Sequence, residues 1–159
     1  MTPPEVIDAL AATLAKDLPA GISIERHPIR PQESATLPAI FPFFTAIKPR
    51  PAQDIGNQIR EYDAEIRIEC GATYAPDGPA MEQALWPMVF HVQKAMLGQI
   101  PPLDGWALNV EEGGIQFSII ERSGVFCAAV LDYKLHIAYR LFADPEGEDT
   151  LTEVTYCQH

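Results

Sequence analysis

Adjacent carboxylates are the first place to look for chemistry in this chain, because two acids in different surroundings can divide the roles of proton donor and acceptor. Glu111 and Glu112 are neighbours, but on an extended strand successive side chains point to opposite faces, so the two cannot share a proton. His91 lies beside the apolar stripe of a predicted helix and has no second ligand four residues on, which argues for a packed or surface histidine rather than a metal ligand. No pair of histidines or cysteines has metal spacing. Gly113 and Gly114 open a strand rather than a helix, so they do not form a phosphate cradle. No serine stands in a G-x-S-x-G elbow. Aromatic and basic residues are not interleaved, which argues against single-stranded nucleic-acid recognition. The pattern is that of a chain that is not an enzyme and calls for no cofactor and no metal.

The remaining chemistry is electrostatic. Glu61, Asp63, Glu65 and Glu69 recur at every second or fourth position, with Arg67 between them, on one side of a predicted strand. A charged outer face is the ordinary state of an antiparallel sheet. The chain has 159 residues, is 47% hydrophobic and carries a net charge of -11. That balance fits one domain with a real core, and its sign disfavours binding to phosphate backbones or anionic membranes. Five of the acids fall in 143–159, which has no Lys or Arg, so the expected division is a domain over 1–142 and an acidic C-terminal arm over 143–159. In that arm Leu151, Val154 and Tyr156 suit a short strand added to a neighbour's sheet. Cys70 and Cys127 fall on the apolar side of predicted strands and Cys157 in the arm, which suggests a reducing compartment. The N-terminus has no basic leader and no apolar run approaches the ~20 residues needed to span a bilayer, so the expectation is a chain made in the cytoplasm.

The elements that must carry these groups follow from periodicity. Val125 to Leu141 alternates apolar and polar residues, as does Tyr62 to Tyr74, and both read as half-buried strands. Pro3, Pro4 and Glu5 open a helix to about Asp17 with its stripe at Val6, Ile7, Leu10, Leu14 and Leu18, leaving Thr13 for solvent. Ile22 and Ile24 mark a short strand. Leu37 to Lys48 is apolar and aromatic but interrupted by Pro42, hence an edge or bulged strand, and Pro49 to Gln58 is a loop. A second helix runs from the Asp77–Pro79 turn to Leu97 on Met81, Leu85, Met88, Val89, Val92 and Met96, with Pro87 predicting a kink or two pieces. Trp106 to Val110 and Ile115 to Ile119 alternate on either side of Gly113 and Gly114, which predicts a hairpin and, with the last strand, a three-stranded meander. The fold class is α+β, a mostly antiparallel sheet packed against two main helices.

The order of these features, with the L-P-x-I-F stretch at Leu37 to Phe41 and the Y-x-L-x-I-x-Y strand at Tyr133 to Tyr139, resembles the tail terminator proteins of long-tailed bacteriophages, the minor tail protein U-like family. The resemblance implies a homo-oligomeric ring, a hexamer, that caps the head-proximal end of the tail tube, stops its polymerisation and meets a head-completion or connector protein. The place implied is the virion tail or neck, after assembly in the host cytoplasm, without a membrane, and DNA would pass through the ring without specific binding. In that role Phe41, Phe43, Phe44 and Lys48 on the aromatic strand, and Arg50, Asp54 and Ile55 in the following loop, are candidates for contacts with other subunits or the tube. Glu61, Asp63, Glu65 and Glu69 are candidates for a lumen wall. Three alternatives stay open: another neck component, such as a tail-completion or head-tail connector protein; a small enzyme resembling hotdog-type thioesterases with Asp77 or Glu82 as its acid; and a non-viral domain that simply binds a protein partner.

Overall fold

Pro3 and Pro4 sit where a helix has no internal partner for an amide hydrogen, and α1 (Pro3–Ala15) begins there, its first internal bond running from the Val6 amide to the Thr2 carbonyl at 3.0 Å. The computed structural model describes residues 1–25, 38–51, 59–73, 78–121 and 125–140. α1 ends at Ala15, short of Asp17, whose backbone is left-handed with φ of 54°. Val6, Leu10 and Leu14 are buried as their spacing requires. Thr13, expected at the surface, is buried too, because its hydroxyl donates to the Ala9 carbonyl at 2.8 Å and leaves no polar group unmet.

The sheet has five strands in the order β1-β2-β3-β5-β4. They are β1 (Ser23–Ile24), β2 (Ala39–Pro49), β3 (Ile59–Thr73), β4 (Asn109–Glu121) and β5 (Val125–Arg140). β1 runs parallel to β2 and every other pair is antiparallel. α2 (Gly78–Leu97) and α1 lie on one side, where Val6, Leu10, Leu85, Val89 and Val92 join Tyr62, Ile66, Ile68, Leu131, Leu135 and Ile137 in a single core. The period of two in β3 and β5 is thus the trace of a sheet with helices on only one of its faces.

Two expectations need correction. Trp106 to Ile119 is not a hairpin: β4 is one strand that pairs with β5 on both sides of Gly113 and Gly114, which form a bulge between Glu112 and Ile115. The last third is therefore a two-stranded hairpin rather than a meander of three. α2 is continuous through Pro87, so there are not two helical pieces. Gln83 and Pro87 both lie on the exposed side, where water can replace the donor the proline lacks. Strand β2 is bulged at Thr45. Its neighbour β1 covers only Ala39 and Ile40, with the Ile40 carbonyl accepting from the Glu25 amide at 2.9 Å. Backbone groups two residues on point the same way, so Pro42 turns its nitrogen to that side and costs no bond to β3.

Candidate functional site: the open face and the rims of the sheet

On the face away from the helices, register sets Glu61, Asp63, Glu65, Arg67 and Glu69 of β3 beside Asp132, Lys134 and His136 of β5 and beside Phe41, Phe43 and Lys48 of β2. Glu111 of β4 joins them across from Lys134. The acids predicted as a row do form one, but the neighbouring strands supply cations. Lys48 Nζ lies 2.6 Å from Glu65 Oε1, and Arg50 Nε lies 2.9 Å from Asp63 Oδ1, with Lys134 Nζ 3.8 Å from the other oxygen of Asp63. Arg67 grips Asp132 with two nitrogens, at 2.8 and 3.3 Å. His136 Nε2 lies 2.9 Å from Glu61 Oε2. The bond to Asp132 raises the already high value of the Arg67 guanidinium, and the bond to Glu65 raises that of the Lys48 ammonium, so both stay charged at any ordinary pH. Pairs this exposed add little to stability. What they do is cover the face with alternating charge.

The other candidates divide. Phe41 is 2% exposed and belongs to the packed end of this face with Ala39 and Ala128, so within the subunit it is a packing residue rather than a surface contact. Phe43 is half-buried on the charged face, and Phe44 turns the other way and packs against the main core. Asp54, Ile55, Asp77, Leu151, Val154 and Tyr156 lie outside the described residues. Glu82 is exposed on α2. Glu111 and Glu112 point to opposite faces: Glu111 accepts from Asn109 at 3.3 Å, while Glu112 accepts from Gln93 of α2 at 2.9 Å and from the Tyr133 hydroxyl at 3.2 Å. Burial, then the charge of Glu112, push the Tyr133 phenol well above its usual range, so it remains a donor. His91 Nε2 lies 2.6 Å from the Leu14 carbonyl, which can only accept, so this nitrogen carries its proton and joins α2 to the end of α1. Among the described residues no three of His, Cys, Asp and Glu gather as a metal site.

One surface feature was not anticipated from the sequence. Trp86 and Phe90 of α2 stack with centroids 5.1 Å apart, and Phe117 of β4 lies 5.4 Å from Trp86. Phe90 is 60% and Phe117 42% exposed, and with Pro87 the helix residues floor a shallow apolar hollow of about 530 Å³. The signal was present: Trp86 and Phe90 are four apart on a helix and fall outside its Leu85, Val89, Val92 stripe. The cluster borders β4, which among the described residues has no strand on its outer side. No model of a known protein family matches this sequence, and no curated protein matches it either.

Proposed function

We infer that this chain is a structural subunit that acts through its surfaces: a tail terminator of a long-tailed bacteriophage, assembling as a ring on the head-proximal end of the tail tube. The observation that carries this reading is the one-sided sheet. Helices cover one face, an ion-paired charged surface forms the other beyond its packed end at Ala39, Phe41 and Ala128, and the β4 rim ends beside exposed aromatics. A sheet left open in this way suits head-to-tail contacts, which close into rings. A face whose cations are already paired has little to offer a phosphate backbone, as a conduit for DNA requires. The partners in this reading are further copies of the chain, the tube protein below and a connector protein above.

The test is sedimentation velocity and electron microscopy of the purified chain, alone and with its tube protein. Ring-shaped particles, and tubes that cease to lengthen when the chain is added, are the expected results. A chain that stays monomeric with the tube protein present and leaves tube growth unchanged refutes the reading.

A further inference from the structure

The geometry points to how one copy meets the next: the β4 rim of one subunit packs beside the β1–β2 rim of its neighbour, acid against base and aromatic against aliphatic. This joint rests on the ring reading above and specifies the surfaces that reading leaves open. Its first support is charge. Strand β4 contains three acids and no Lys or Arg, with Glu111 on the open face, whereas the stretch from Ala39 to Pro51 contains Lys48 and Arg50 and no acid, and Glu25 at the end of β1 lies beside Ile40, away from Lys48. Two copies of β4 facing each other across a two-fold axis would set like charges together, which is unfavourable, so the pairing that charge prefers is between unlike rims.

The second support is level along the strands. Antiparallel pairing from β2 through β3 and β5 makes β4 run opposite to β2. If the ring axis follows the strands, cyclic symmetry permits no slip along it, so residues at one height in the subunit meet at that height across the joint. Lys48 is level with Asn109, through Asp63 and His136, and so arrives one residue pair from Glu111. Phe117 is level with Ile40, through Ala129 and Cys70, where the neighbour's rim is β1 and presents Ile24 on the same side of the sheet. Among the described residues Lys48 and Arg50 each give one donor to an acid of β3, at side-chain exposures of 65% and 40%, and an ammonium or a guanidinium carries more donors than one. The joint is one of side chains rather than a shared ladder, since Pro42 offers no amide to that side.

The experiment reverses charge singly and together in the full chain. Glu111→Lys and Lys48→Glu should each weaken assembly at low salt by about tenfold or more, and the double variant should recover it, because the contact re-forms with its signs exchanged. Phe90→Ser tests the apolar half independently, at a ring the fold leaves exposed, and should also weaken assembly. Circular dichroism confirms folding of each variant. Rings of wild-type strength from both single reversals, a double variant no better than the singles, or unchanged assembly of Phe90→Ser overturns the joint while leaving the ring standing. A wild-type chain that never assembles, even with tube protein, overturns both.

Discussion

Neutralising Glu61→Gln, Asp63→Asn, Glu65→Gln and Glu69→Gln together should make the open face hold DNA more tightly than the wild-type face does. Among the described residues the face sets six carboxylates (Glu61, Asp63, Glu65, Glu69, Glu111 and Asp132) against four permanent cations (Lys48, Arg50, Arg67 and Lys134). The variant keeps the cations and two of the acids, so the local balance changes sign. Lys48, Arg50 and Lys134 lose their partners, while Arg67 keeps Asp132. Three released cations that reach phosphates give a slope of about -2.7 in log affinity against log salt, at roughly -0.9 for each phosphate neutralised. Between about 50 and 200 mM salt the affinity should then fall about 40-fold. Fluorescence anisotropy of a short duplex over that salt series measures both the gain and the slope, and it needs no assembled ring. A folded variant that binds DNA no more tightly than wild type at low salt refutes the idea that these carboxylates keep phosphates away.

Four further outcomes follow from the fold. Ile66 is fully buried, and Ile66→Ala should cost about 2–5 kcal/mol in denaturant unfolding; a loss under about 1 kcal/mol would mean that the centre of β3 does not hold the core. A Cβ on Gly113 would stand 3.1 Å from the Asp132 carbonyl oxygen, whereas one on Gly114 meets nothing within 4 Å, so Gly113→Ala should lower the melting temperature and Gly114→Ala should not. Burial pushes the Cys70 thiol up to about 12, so at pH 8 a thiol reagent should leave Cys70 unmodified in the folded chain and label it after unfolding, as mapped by peptide mass. The Glu5 carboxylate accepts from the Thr2 amide at 2.6 Å and the Thr2 hydroxyl at 2.9 Å, and these bonds hold it below its ordinary 4.5. Its contribution to stability is present above that ordinary value and is lost as pH falls through the lower folded one, so Glu5→Gln should flatten the acid limb of the stability profile.

What was legible in the sequence was what depends on one strand or helix at a time. Tyr62, Ala64, Ile66, Ile68, Cys70 and Ala72 alternate in the chain and are all buried, because a sheet covered on one face imposes a period of two. Leu85, Met88, Val89, Val92 and Met96 were legible for the same kind of reason. What stayed hidden depends on pairing. Two glycines suit a turn and a bulge equally well, and the choice at Gly113 and Gly114 is made by the sixteen residues of β5, long enough to engage β4 on both sides of the bulge. Lys48 and Glu65 are 17 residues apart and meet only through the register of β2 on β3, which is itself offset by the bulge at Thr45.

That hidden pairing changes what the charged row does. Read alone, Glu61, Asp63, Glu65 and Glu69 form a wall that works by repulsion, yet repulsion over more than a Debye length of about 8 Å is lost at physiological salt. With Lys48, Arg50 and Lys134 against them, the face works differently. Each cation already has an oxygen to donate to, so a phosphate gains from it only by displacing a carboxylate fixed a few residues away in the same sheet. That competition is at contact range and salt screens it less than repulsion at a distance. A surface of this kind should stay indifferent to a polyanion across a wider range of salt than bare acids would, and the proposed role as a DNA conduit would call for that.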